Sequence, residues 1–173
     1  MPTIGVALAL PEPWAEELQS YRRSLGDATA DLIPTHITLI PPTEVPEPEL
    51  HVVREHLDLV AGKHTAFRMH LRGTGTFRPI SPVVFVTVAQ GIGESEQLAE
   101  DLRKGPLEVE LVFPYHPHVT VAHHLGDDLL DRAFTELAEF DCAFEVDRFH
   151  LYVHDEVAGW RRTDDFPLQP AAG

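Results

Sequence analysis

His36-Ile37-Thr38-Leu39 and His118-Val119-Thr120-Val121 are one pattern written twice, His-apolar-Thr-apolar, with the histidines 82 residues apart. In an extended chain, successive side chains point to opposite faces. Each tetrapeptide therefore shows an imidazole beside a hydroxyl on one face and an aliphatic pair on the other. A strand of that kind buries Ile37 and Leu39, or Val119 and Val121, and turns His and Thr toward a cleft. One such tetrapeptide says little. Two say much more if the sequence around them repeats as well.

It does repeat. Ile4–Leu10 is β-rich and bounded by prolines, so it reads as a strand. Glu12–Leu25 carries Trp14, Leu18, Tyr21 and Leu25 on one helical face. Thr35–Ile40 is a short strand ended by Pro41-Pro42, with a loop over Pro41–Pro48. Pro48–Ala61 is a second amphipathic helix through Leu50, Val53, Leu57 and Val60, and Ala66–Arg72 is a third strand. The same order returns as a strand at Val83–Ala89, a helix at Glu94–Lys104, a short strand at His118–Ala122, a helix at Asp127–Phe140 and a long strand at Ala143–His154, alternating with a shift of phase. Offsets of 79 (Val6 to Phe85), 82 (His36 to His118) and 77 (Phe67 to Phe144) mark a duplicated β-α-β-α-β unit. The fold class expected is α+β, a single bilobal domain over 1–173 with repeats at approximately 1–80 and 81–168. Two copies are too few for a solenoid. Two units facing across a pseudo-two-fold axis would set equivalent positions opposite one another in a cleft. Residues after Pro167 read as a frayed tail.

Composition narrows the function. Against 13 Lys+Arg stand 28 Asp+Glu, a net charge of −15, which repels a long phosphate backbone. A short or small phosphorylated substrate in one pocket is compatible with that charge. The one cysteine, Cys142, excludes an intrachain disulfide and a Cys-based zinc knuckle, and reads as a buried strand residue. Met1–Leu10 has no basic leader and is cut by Pro11 and Pro13, so it reads as a first strand rather than a signal peptide. No apolar run approaches the roughly 20 residues of a membrane span. A cytoplasmic monomer without a membrane partner is expected.

Two imidazoles and two hydroxyls facing across a cleft suit phosphodiester chemistry. One histidine, neutral, takes a proton from an attacking hydroxyl or water; the other, protonated, donates to the leaving oxygen. Both states are accessible near neutral pH. The threonine hydroxyls donate to non-bridging phosphate oxygens, where charge gathers. The scheme needs no metal and no cofactor. The chain has no P-loop and no Gly-x-Ser-x-Gly, so rival routes lack parts.

The paired motifs and their flanks resemble the two-histidine (2H) phosphoesterase superfamily, and within it the bacterial 2′-5′ RNA ligase / RNA 2′,3′-cyclic phosphodiesterase proteins. The resemblance rests on Pro34-Thr35-His36-Ile37-Thr38-Leu39, on Leu71-Arg72-Gly73-Thr74-Gly75-Thr76-Phe77, on Tyr115-His116-Pro117-His118-Val119-Thr120-Val121-Ala122, and on Phe144 to Leu168 with Leu151-Tyr152, Trp160 and Phe166-Pro167-Leu168. It implies two antiparallel-rich sheets lining a central groove with helices outside. It implies His36 and His118 as acid and base, and Thr38 and Thr120 as phosphate ligands. It implies a nucleotide or short RNA end, carrying a cyclic phosphate or a 2′-5′ linkage, as substrate. A catalytically weak nucleotide-binding member of the same fold is the alternative.

Other residues complete the candidate site. Phe77, Tyr115 and Trp160 are candidates to stack a base, and Arg78 to contact a phosphate. His116, His118, His123 and His124 lie close in sequence, but Pro117 interrupts them and no carboxylate cluster completes them, so no metal site is assigned. Gly73-x-Gly75 reads as a β-turn or bulge, since no helix follows it.

Overall fold

A computed structural model describes residues 1–171. The first half runs β1 (Thr3–Ala9), α1 (Trp14–Ser24), β2 (His36–Glu44), α2 (Leu50–Ala61) and β3 (Phe67–Thr76). The second runs β4 (Val83–Gln90), α3 (Ile92–Leu102), β5 (His118–His123), α4 (Asp127–Glu136) and β6 (Asp141–Val146), followed by β7 (Arg148–Asp155) and β8 (Gly159–Pro167). The strands form two antiparallel four-stranded sheets, ordered β2-β1-β7-β8 and β5-β4-β3-β6. The fold is α+β, as expected.

The two sheets follow one plan, and the halves exchange parts to build them. β2-β1 and β5-β4 occupy matching positions, but one strand from each half crosses over to the other's pair: β3 pairs with β4, and β7 pairs with β1. The helices cross too, since α1 packs against β5 and α3 against β2. The buried apolar residues of both sheets form one cluster, from Ile4 and Ile37 to Val119 and Phe149. Separating the halves would expose that cluster at about 25 cal/mol per Å² of apolar surface, so the two cleft walls hold each other in place.

α1 shows how local sequence builds this. Glu16 and Glu17 lie in its first turn and Arg22 and Arg23 in its last, complementing the helix dipole. Of its expected apolar face, Leu18 and Leu25 are buried, Trp14 stacks on Phe144 at 6.2 Å, and the Tyr21 hydroxyl donates to Glu136 at 3.0 Å.

Several sequence expectations are corrected. β2 does not stop at Pro41-Pro42 but runs on to Glu44; it is an edge strand, so a proline ring there breaks no ladder on its open side. The long strand expected over Ala143–His154 is two strands. Its shift of phase is the chain passing from one sheet, where Phe144 pairs with Met69, to the other, where Leu151 pairs with Val6. The positional equivalent of β3 is therefore β7 and not β6, and the offset from Phe67 to Phe144 does not join matching strands. The tail is anchored beyond Pro167: Leu168 is buried, and Gln169 exchanges backbone hydrogen bonds with His64 and Ala66 at 2.9 and 2.8 Å. The last two residues lie outside those described. Gly73-x-Gly75 falls within β3, where the register against β4 shifts between Leu71 and Thr74, as a bulge requires.

Candidate active site

β2 and β5 are the edge strands that face each other across the molecule. On both, alternation sends the aliphatic pair inward: Ile37, Val119 and Val121 are fully buried and Leu39 nearly so. His36, Thr38, His118 and Thr120 are only half-buried, and all four line one cleft of about 390 Å³. Each strand then departs from its ladder at the same point. Ala7 pairs with Thr38 and Val6 with Ile40, so Leu39 is the extra residue; Phe85 pairs with Thr120 and Val84 with Ala122, so Val121 is. These matching bulges restart the alternation. His123, which strict period two would bury with Val119 and Val121, lines the cleft instead.

The imidazoles are held in the same way. His36 Nδ1 donates to the Pro34 carbonyl at 2.6 Å, and His118 Nδ1 donates to the His116 carbonyl at 2.7 Å. A carbonyl only accepts, so each Nδ1 carries the proton and each Nε2 is left for the cleft. The free nitrogen accepts a proton when the ring is neutral and donates one when it is charged. Burial lowers the pKa of both. At His36 the bond to Pro34 partly opposes that and the Arg22 charge adds to it; at His118 the bond to His116 opposes it, while His116 and His36 add to it. Both rings are therefore mainly neutral near pH 7, and an anion bound between them favours protonation of one.

The walls differ. His118 lies edge-on to Phe77 at 4.9 Å and tilted to Phe85 at 5.2 Å, an apolar surround that accounts for its desolvation. The Arg22 charge acts instead on His36 and His123, and Arg22, 2% exposed and paired with Asp27 at 2.8 Å, lines the same cleft. Trp160 lines the cleft across Gly5. No Asp or Glu lines it among the described residues, although acidic residues outnumber basic ones two to one in the chain. The cleft is thus an anion-compatible pocket in an acidic protein.

Of the other sequence candidates, Phe77 and Trp160 line the cleft. Tyr115 lies beneath it: its hydroxyl donates to the Thr38 carbonyl at 2.7 Å, tying the approach to β5 onto β2, and burial raises its pKa. Arg78 lies outside the lining, its Nη1 donating to Asp131 at 2.9 Å and its Nε to the Thr76 hydroxyl at 3.2 Å. No group of three or more His, Cys, Asp or Glu among the described residues is arranged to hold a metal. Sequence reasoning missed Arg22, His123 and Tyr152. For Arg22 a signal existed, since it falls between Leu18 and Leu25 on the apolar face of α1, where a charge needs a buried partner.

A family model described as the 2′-5′ RNA ligase superfamily matches residues 10–158, a span that contains both His-x-Thr strands. The chain belongs to the 2′-5′ RNA ligase superfamily. Relatives agree with that membership. A Bacillus cytotoxicus protein named "Putative phosphoesterase" is 30% identical over 169 residues, covering 95% of this chain and 96% of its own length. A Bacillus licheniformis protein of the same name is 31% identical over 166 residues, covering 95% and 97%. The same fold is seen in the Thermus thermophilus protein TT0787, with TM-score 0.71, 23% identity and coverage of 99% of this chain and 100% of that one. It is seen again in Escherichia coli LigT complexed with 3′-AMP, with TM-score 0.65, 20% identity and coverage of 97% and 99%. LigT has also been solved with ATP and with NADP+. Membership of the superfamily supports phosphoesterase activity as the broad function. No described helix is long and apolar enough to cross a membrane.

Proposed function

We propose that the cleft hydrolyses the 2′,3′-cyclic phosphate, or a 2′-5′ phosphodiester, of a nucleotide or short RNA end by acid-base chemistry of His36 and His118. The observation that carries this reading is the pair of matched imidazoles, each with Nδ1–H tied to the carbonyl two residues back and Nε2 left for one cleft. For a cyclic phosphate, one neutral Nε2 takes a proton from water as its oxygen bonds to phosphorus. The bond from phosphorus to one ribose oxygen breaks, and the other, protonated Nε2 delivers a proton to that oxygen. Thr38 and Thr120 donate to the non-bridging oxygens, where negative charge grows. Acid, base and oxyanion donors all come from this chain. The fit to short substrates follows from the charge of −15 outside a cleft without carboxylates. That nucleotides occupy the LigT structures supports the same substrate class.

The test is steady-state hydrolysis of adenosine 2′,3′-cyclic phosphate by the protein and by folded His36→Ala and His118→Ala variants. Each substitution should lower turnover about 10²–10⁴-fold. The double variant should lose much less than the product of the two single losses, because the residues act as a unit. Thermal stabilisation by the nucleotide without turnover would instead make this a binding protein of the same fold.

A further inference from the structure

The four motif residues come from both halves and respect the pseudo-two-fold relation of the chain. Arg22 does not. It lies near the end of α1, and its sequence equivalent 81 residues on, Arg103 at the end of α3, is not among the cleft-lining residues. Arg103 sits over the Tyr115 ring, 5.9 Å from its centroid. The cleft therefore carries one guanidinium that the other half does not repeat, and a ligand that matches it carries charge at that point.

Arg22 is also built to stay where it is. Its Nε and Nη2 both donate to Asp27 Oδ2, at 3.2 and 2.8 Å, while Asp27 Oδ1 accepts from the Thr29 amide and hydroxyl at 2.9 and 2.7 Å. Burial pushes the Asp27 carboxyl up, but the bonds from Thr29 and Arg22 outweigh it and hold the group below its usual range, so the pair stays charged. Nη1 has no protein partner among the described residues. The side chain is 2% exposed yet lines the cleft, so its unpaired edge has only the cleft to face. Burying an arginine is costly, and one carboxylate oxygen satisfies only part of its five donors. A fixed, half-satisfied guanidinium at the wall of a pocket without carboxylates is a ready ligand for phosphate oxygens.

We propose that Arg22, held by Asp27, binds a second phosphate of the substrate, a phosphomonoester distinct from the ester that is cleaved. This rests on the phosphoesterase reading above and names the substrate class: a cyclic phosphodiester whose ribose also carries a terminal phosphate. Thr38 and Thr120 hold the reacting phosphate, and Arg22 holds the other. The cleft then sets the direction in which a nucleotide lies, which the near-symmetric motif residues do not do by themselves.

The experiment compares adenosine 2′,3′-cyclic phosphate with the same compound bearing a 5′-phosphate, as a ratio of kcat/KM. The protein should prefer the 5′-phosphorylated compound roughly ten- to a hundredfold, the effect of one charge-assisted contact. Arg22→Gln should bring the ratio close to one. That variant leaves Asp27 buried without its cation and can fold poorly, so Arg22→Gln/Asp27→Asn, which removes both charges at nearly constant shape, is measured beside it. Arg22→Lys should keep part of the preference, since it retains the charge without the planar fork. A ratio near one in the unaltered protein, or one unchanged in the double variant, overturns the proposal. If neither compound turns over, the phosphoesterase reading fails and binding decides this one. By calorimetry, adenosine 3′,5′-bisphosphate should bind more tightly than adenosine 3′-monophosphate, and the difference should vanish in the double variant. Equal affinities would overturn it independently.

Discussion

Gly159→Ala offers a test of how the cleft is positioned from outside it. Gly159 opens β8 with φ +78°, and a Cβ there would stand 2.3 Å from the Leu32 carbonyl oxygen and 2.7 Å from its Cα. These are backbone atoms, so no side-chain rotation relieves the contact. The left-handed conformation alone costs an alanine about 1–2 kcal/mol. Forcing the neighbouring segment aside adds about 1–3 kcal/mol, as overpacking does. Together these give a loss of about 2–5 kcal/mol, or roughly 4–20 °C in melting temperature at about 2–4 °C per kcal/mol for a chain of this size. The displacement also has an address. Leu32 ends the 3-10 turn Ala30–Leu32, and Ile33 and Pro34 follow it into the cleft wall. The Pro34 carbonyl is the group that holds His36 Nδ1 at 2.6 Å. A shift there moves the imidazole, and about 1 Å of misplacement lowers a rate about 10²-fold. Gly26→Ala is the control, with φ +82° and nothing within 4 Å, so it bears the conformational cost without the contact. The assay is a thermal melt of both variants with turnover of a 2′,3′-cyclic nucleotide at a temperature where each is folded. Gly159→Ala melting no lower than Gly26→Ala, or turning over as fast as the unaltered protein, would refute the reasoning.

Other expectations follow from the same geometry. His36, His118, His123 and His150 all have pKa values lowered by burial, so the unfolded chain binds more protons than the folded one as pH falls through their ordinary range. Stability should be fully present above about pH 6.5 and fall below it, and a melting-temperature series across pH in a His36→Gln/His118→Gln variant should show a shallower decline. The pH–rate profile should be bell-shaped, because one imidazole must be neutral and the other charged; a single-sided profile would remove one of them from proton transfer. Activity should persist in excess chelator, and loss restored by one divalent metal would move the chemistry away from the two imidazoles. Tyr115→Phe removes the donor to the Thr38 carbonyl and should cost about 0.5–1.5 kcal/mol in a urea titration; an unchanged midpoint would show that this tie between the halves contributes nothing.

The two His-x-Thr tetrapeptides determined by themselves which side chains share a face, because alternation in a strand is local and needs no partner. The same holds for the face of α1, whose Trp14, Leu18, Tyr21 and Leu25 carry the helical period in the sequence. The duplicated order of elements was legible for that reason, and so was the α+β class. What tertiary structure alone decided is which strands become neighbours. The exchange of β3 and β7 between the halves, the passage of the chain from one sheet to the other after Val146, and the continuation of β2 through Pro41-Pro42 depend on pairing between distant segments. Propensity within a window does not encode such pairing. The bulges at Leu39 and Val121 belong with these, since an extra residue exists only relative to a partner strand, and the one at Val121 turned His123 into the cleft. Arg22 and Arg78 show the same division with charge. The sequence shows two arginines near candidate elements; Arg22 is held at the cleft wall by Asp27, a partner only five residues on, whereas Arg78 is held away from the cleft by Asp131, 53 residues along the chain, a meeting that only the fold arranges.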